Sequence, residues 1–356
     1  MLSLLRATGC LSVLGLLSLL LPLPTLGSPP QKAKPQVVST ALPAEPALPP
    51  FRFEGPLAPA LTALRQGKPT EAKLLLDKLR PTSKDAKQRD ELESLCAESQ
   101  IRQGQVREAI RGLETVVSRD PKALMSRVTL GEAYRLVGER DKERAIWNGL
   151  FDDHDADRLD MNDCRTVRLL GLAARYLGSY RDAYEQLKNA AELAKEQKRT
   201  DEFVLASLSL SELRIEKYEV GYAEVSVKEA LRRDPQNPDA KALLARITLE
   251  QGNDVSSANE LADEAIQTNP HHPLAIQVRA EMLIDNEQYE DALAMLEPAS
   301  ARNGSDLPAR ALRDGAVQRI ARRRRHPALR SPRRRHRARA VHGRHRRDRH
   351  RRRRRL

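Results

Sequence analysis

Seven pairs of small residues constrain this chain more than any other feature. The second member of each pair is Ala72, Ala109, Ala145, Ala183, Ala223, Ala258 and Ala292, with gaps of 34 to 40 residues. The first member is Ala60, Ala97, Gly131, Gly171, Ser211, Ala245 and Ala280, which lies 12 residues upstream in five pairs, 13 in one and 14 in one. Two small side chains at a fixed offset let two helices approach closely. Repetition at a period in the thirties predicts an all-α solenoid, in which each unit buries its apolar faces only against its neighbours.

The apolar pattern between these positions has the helical period. Leu92, Leu95, Cys96 and Ile101 share one face, Gly104 interrupts, and Val106, Ala109, Ile110, Leu113, Val116 and Val117 share the next. Pro121 closes that unit, as Pro235 and Pro270 close later ones, and Gly67, Gly138, Gly178 and Gly252 interrupt other units where Gly104 does. Aromatic residues make up only 3% of the chain, with Trp147 the single tryptophan, so the core must be built from Leu, Ala, Val and Ile. The spacing also predicts an insertion before Ala145 and a long, charged second helix through Ala191–Arg199, and both units are expected to pack loosely.

These residues resemble the tetratricopeptide repeat family. The strongest matches are Leu130-Gly131 with Tyr134; Leu170-Gly171 with Gly178, Tyr180 and Ala183; and Ala280 with Tyr289 and Ala292. The resemblance covers about residues 53–300 and implies a right-handed superhelix of about seven helix–turn–helix repeats. Pro56 and Pro59 curtail the first helix of the first unit, and most of the family's aromatic positions are aliphatic or polar here.

The resemblance also implies a concave groove, lined by the first helix of each unit, that holds an extended peptide or a partner helix. The groove positions are Glu98 and Ile101; Val128, Glu132 and Arg135; Arg165, Arg168, Leu172 and Arg175; Leu208, Glu212 and Ile215; Arg246 and Leu249; and Gln277, Glu281 and Ile284. Arg135, Arg165, Arg168, Leu172, Arg175, Leu208 and Glu212 are the expected partner contacts. Arg165, Arg168 and Arg175 would lie on one helix face beside Arg135, and guanidinium forks suit carboxylates. That predicts an acidic peptide or a C-terminal carboxylate in mid-groove, set against a solvated face that pairs with its own acids.

Other clusters carry less chemistry. Asp153, Asp155 and Asp157 imitate the start of a calcium loop, but Arg158 stands where that loop needs glycine and Cys164 where it needs glutamate. No metal site is expected there, only an inter-repeat loop, and His271-His272 reads as another. Cys96 and Cys164 fit two buried apolar side chains. Phosphate loops, dinucleotide fingerprints, serine elbows and zinc helices are absent from the sequence, so neither cofactor, small-molecule substrate nor catalytic role is expected.

The ends have their own logic. Residues 1–27 carry Arg6, an apolar run from Leu11 to Leu21 and small residues before position 28, as a signal peptide would. The run is too short for a spanning helix, and an uncleaved membrane tether is the alternative. Residues 28–56 hold eight prolines and read as an extended, semi-rigid spacer. Residues 57–300 are the repeat array and 301–356 a disordered tail. The net charge of +13 belongs to that tail, because residues 321–356 carry 19 arginines and one acid while residues 1–320 sum to −5. Such a tail is either the product of a shifted reading frame in GC-rich DNA or a basic arm for nucleic acid or anionic membranes. The composition and the signal point to export to a bacterial periplasm or cell envelope, and the resemblance implies a non-catalytic protein-binding scaffold there. The alternatives are a regulatory protein that uses the basic arm on nucleic acid or membranes, and a fragment of an enzyme whose catalytic domain would follow in a longer, unshifted reading frame.

Overall fold

The computed structural model describes residues 48–302 except 84 and 253, with side chains to residue 297. The expectations for residues 1–47 and 303–356 (signal, most of the proline stretch, arginine-rich tail) lie outside the described residues.

Fourteen α-helices follow one another, and no strand occurs among the described residues. They are α1 (Ala58–Arg65), α2 (Pro69–Leu79), α3 (Ala86–Arg102), α4 (Val106–Arg119), α5 (Leu124–Val137), α6 (Arg140–Asp155), α7 (Cys164–Leu177), α8 (Tyr180–Glu196), α9 (Thr200–Glu216), α10 (Val220–Arg233), α11 (Pro238–Gln251), α12 (Val255–Thr268), α13 (Pro273–Asp285) and α14 (Tyr289–Arg302). Each helix packs on the next through α14, so consecutive pairs form seven units. From α3 to α13 the odd-numbered helices also touch one another in series, which places them along one side of the array.

The sequence explains the punctuation. Inside each unit the turn between helices holds one residue with positive φ: Gly67, Gly104, Gly138, Gly178, Tyr218, Gly252 and Glu287. Glycine takes that backbone without a Cβ penalty, whereas Tyr218 and Glu287 take it at a cost. Between units, side chains cap the incoming helix. Asp85 accepts from the Gln88 amide, Asp163 from Thr166, Asn237 from Ala240 and His272 from Ala275. Asp90 reaches across a unit boundary, and its carboxylate accepts from the Met125 and Ser126 amides at 2.8 Å each.

The small residues sit where helices approach. Ala97, Ala109, Gly131, Gly171, Ala183, Ser211, Ala223, Ala245, Ala258, Ala280 and Ala292 are all buried. The Ser211 hydroxyl donates to the Ala223 carbonyl across its unit at 2.9 Å. Ala145 is a correction, because it is exposed. The fourth residue of α2, α4, α8, α10, α12 and α14 is the pair alanine, and the fourth residue of α6 is Glu143, which is only 4% exposed. With Glu143 in the slot, that unit's offset becomes 12. A carboxylate fits there because Arg135 donates to it at 3.0 Å, Arg140 at 2.7 Å and the Trp147 indole at 3.3 Å. Burial alone would raise its pKa; the hydrogen bonds from Arg140, Arg135 and Trp147 outweigh burial and hold it below the usual glutamate range.

Two further expectations are corrected. The extra residues of that unit form the long α6–α7 connection, not an insertion before the slot. Neither unit packs loosely: Trp147 and Leu150 in one, and Ala183, Leu187, Ala190 and Ala194 in the next, are fully buried. Cys96 and Cys164 are buried thiols without a disulfide.

The first unit also meets the far part of the array. Arg65 forms an ion pair with Asp234, between α10 and α11. A Cβ placed on Gly67 would come within 2.9 Å of the Asn269 side-chain carbon, so that glycine backs directly onto the α12–α13 turn. Residues 48–53 are a correction to the spacer. They pack against the repeats, with Leu48 buried among Cys164, Ala194 and Phe203.

Candidate functional site: the inner groove

The inner faces of α1, α3, α5, α7 and α9, with residues 49–54 and the turn before α11, line a cavity of about 840 Å³. Its apolar lining comes from Leu61 and Leu64 of α1, Leu95 of α3, Val128 of α5, and Leu169 and Leu172 of α7. The charged lining includes Glu91, Glu98, Arg102, Glu132, Arg165, Arg168, Asp201 and Glu202, with Arg52, Glu54, Arg65, Lys198, Arg199, Asp234 and Asp239 toward the rim residues 49–54 and the turn before α11. The family-derived groove positions Glu98, Val128, Glu132, Arg165, Arg168 and Leu172 are therefore brought together, while Arg135, Arg175, Leu208 and Glu212 do not line this cavity. Leu208 is buried in a core cluster with Val204, Ala223 and Val227.

The arginines are not a free carboxylate clamp. The Arg165 Nε donates to one oxygen of Glu202 at 2.5 Å and the Arg168 Nε to the other at 2.7 Å. Arg165 also pairs with Glu91 at 3.1 Å. Arg175 pairs with Glu212 at 2.5 Å and Glu216 at 2.6 Å. Arg135 pairs with Glu143 and lies 4.9 Å from the Tyr176 ring centroid. Each guanidinium in the expected anion site is thus neutralised by the chain's own acids. Burial would raise the Glu202 pKa, but the charges and hydrogen bonds of Arg168 and Arg165 hold it below the ordinary glutamate value. The one signal for these pairs was the period itself: Glu202, Glu212 and Glu216 stand 34 to 41 residues after the arginines they meet, one repeat further on.

Glu132 is different. It accepts a hydrogen bond from the Tyr176 hydroxyl at 3.0 Å, and among the described residues no cation pairs with it. Burial pushes its pKa up to about 6 against the opposing hydrogen bond from Tyr176.

The rim of the groove carries the strap of residues 48–53. The Thr200 hydroxyl donates to the Pro49 carbonyl at 2.8 Å, and the Phe51 amide donates to the Arg233 carbonyl at 3.1 Å. Phe51 and Phe53 meet edge to face with centroids 4.9 Å apart. The Arg65 guanidinium lies 5.1 Å from the first ring centroid and 5.3 Å from the second. The proline density hid this contact. The available signal was that two of the chain's four phenylalanines fall inside the proline stretch.

The acidic stretch and the histidine pair are accounted for locally. Asp153 pairs with Arg127 and Arg158, and Asp163 caps α7. No group of three or more metal-ligating side chains assembles among the described residues. His272 is buried: its Nδ1 accepts from the Ala275 amide at 3.3 Å while its Nε2 lies 2.9 Å from Asp239 across the unit boundary. That role was not legible in a turn dipeptide. None of the described helices is long and apolar enough to cross a membrane.

Residues 223–273 match the tetratricopeptide repeat family model. Anaphase-promoting complex subunit 7 of Mus musculus and of Homo sapiens is 29% identical over 168 residues, which is 46% of this chain and 28% of those proteins. The chain thus matches little more than a quarter of the length of these curated relatives. Among solved structures, a tetratricopeptide repeat protein from Parabacteroides merdae ATCC 43184 aligns over 73% of this chain and 96% of its own, with 14% identity and a TM-score of 0.46. YrrB, described as a tetratricopeptide repeat protein with an unusual peptide-binding site, aligns over 57% of this chain and 97% of its own, with 17% identity and a TM-score of 0.32.

Proposed function

We propose that this chain of tetratricopeptide-type repeats is a non-catalytic scaffold that holds an extended segment of a partner protein in its inner groove. The observation that carries the reading is the cavity of about 840 Å³ along α1 to α9, whose Arg165 and Arg168 are satisfied internally by Glu202. With Arg165 and Arg168 paired to Glu202, the recognition surface that remains is apolar side chains, hydroxyls, backbone groups and the Glu132 carboxyl. Those suit an extended peptide better than a compact anion. The partner is a protein segment and not a C-terminal carboxylate held by the arginine set.

Selection of displayed random peptides against the chain tests this. Selected peptides should bind with micromolar affinity and lose at least ten-fold on Leu205→Glu, a groove-lining residue 44% exposed, or on Glu132→Lys. They should be indifferent to Tyr222→Glu, an exposed residue of α10 outside the cavity lining. The opposite pattern would move the binding face to the outer helices and sink the reading. We also propose export to a bacterial envelope, supported by the apolar run and small residues of residues 1–27. An intact mass of the natural protein that retains those residues would remove that part.

A further inference from the structure

A segment of the chain itself, Leu48–Phe53, lies along one rim of the groove. The strap draws its contacts from the first, fourth and fifth units: Arg65 from α1, Cys164 and Ala194 from α7 and α8, and Thr200, Phe203 and Arg233 from α9 and α10. Each contact is of a kind that reads extended backbone. An apolar pocket takes Leu48, a hydroxyl takes a carbonyl, a carbonyl takes an amide, and a guanidinium covers two aromatic rings at alternate positions. Pro49 and Pro50 hold the extended form in advance and so reduce the ordering entropy of docking. The strap takes one rim only, because the cavity beside it remains open along α3, α5 and α7.

We propose that Leu48–Phe53 is the groove's ligand in cis. The partner segment then presents the same chemistry, an apolar residue and prolines followed by two aromatic residues at alternate positions, and enters by displacing the strap. This rests on the groove being a peptide site. A flexibly tethered segment has an effective concentration in the millimolar range. For a peptide of about 10–100 μM intrinsic affinity, the closed chain binds roughly 10–100-fold more weakly than an opened one.

The test uses the full chain and a fluorescein-labelled peptide with the sequence of residues 48–56, followed by anisotropy. Opening the strap with Phe51→Ala and Phe53→Ala together should tighten binding at least ten-fold. The same peptide with both phenylalanines replaced by alanine should bind neither chain. Equal affinity of the labelled peptide for both chains, or equal binding of the aromatic-free peptide, overturns the inference. A second variant does not depend on opening the groove. Leu48→Cys places a thiol in the cluster that Leu48 shares with Cys164, Ala194 and Phe203. On oxidation that thiol and Cys164 should join, residual peptide binding should vanish, and reduction should restore it. A chain that forms no such bridge, or binds peptide equally when bridged, places the strap elsewhere and overturns the inference. If displayed peptides respond to Leu205→Glu while the strap peptide binds neither chain, the strap inference fails and the groove reading stands. If no peptide responds to Leu205→Glu, both fail.

Discussion

Alanine is a better helix former than glycine by about 1 kcal/mol, so replacing a mid-helix glycine should stabilise a helix unless something occupies the Cβ position. Gly131 and Gly112 separate the two terms. A Cβ on Gly131 would lie 2.6 Å from the Trp147 Cζ2 and 2.8 Å from Cζ3, whereas one on Gly112 meets nothing within 4 Å. Carbon atoms rest about 3.5–4.0 Å apart, so the indole would have to retreat by about 1 Å. It has little freedom to do so, being 1% exposed, stacked on Tyr176 with centroids 5.0 Å apart and hydrogen-bonded to Glu143. Overpacking at the upper end of its usual range, about 3 kcal/mol, less the propensity gain of about 1, leaves Gly131→Ala destabilised by about 2 kcal/mol. For an array of this size that is a fall in Tm of about 4–8 °C. Gly112→Ala should instead rise by about 2–4 °C. Differential scanning calorimetry on both variants measures the contrast. A Gly131→Ala Tm equal to or above that of the parent would mean that the indole is not packed into α5 and that the register of this unit is wrong. Trp147→Phe in the Gly131→Ala background should recover part of the loss, because the clashing atoms lie on the six-membered ring that the smaller side chain places differently.

Other outcomes follow from single features. Tyr218 sits at φ 61° and is 90% exposed, so Tyr218→Gly should raise stability by up to about 1 kcal/mol in chemical denaturation, while Gly138→Ala, at φ 78°, should lower it by about 1. Glu202 has a folded pKa below its unfolded one, so its contribution is complete above the unfolded value near 4.3 and is lost as pH falls through the lower folded value. Glu202→Gln should therefore cost about 3 kcal/mol at pH 7 and much less near pH 3, read as the difference between two pH–stability curves. Glu132 has the opposite sign: with a folded pKa of about 6 it favours the folded state below the unfolded value and loses that as pH rises through 6. Glu132→Gln should gain about 1 kcal/mol at pH 8 and nothing at pH 4, and a gain independent of pH would argue against a desolvated carboxyl.

The sequence showed the units because close helix contacts need small residues, and these recur at the repeat period whatever residues stand between them. It misplaced one slot at Ala145 because the requirement there is shape plus satisfied polarity, and Glu143 meets both with help from Arg135, Arg140 and Trp147. A search by residue size cannot see that. The arginine set was visible on a helix face, but its state was not, since Glu202, Glu212 and Glu216, which pair with Arg165, Arg168 and Arg175, lie one repeat away. The strap was hidden for a related reason. Proline density argues correctly for an extended chain and says nothing about whether that chain is wet, and only Phe51 and Phe53 gave a reason for it to be dry. His272 bridging to Asp239 had no local mark at all.

An ordinary repeat array can gain or lose a unit with little consequence, because each unit answers only to its neighbours. Here Arg65 holds Asp234 and Gly67 lies against Asn269, which joins the first unit to turns more than 160 residues away. That contact makes the array a counted object. Excising or duplicating any unit between α3 and α10 would carry Asp234 and Asn269 past the first unit by a full step of the superhelix and leave Arg65 facing another residue. The number of repeats between those two points is then inherited as a single character, fixed by closure, while units outside the closure stay free to vary.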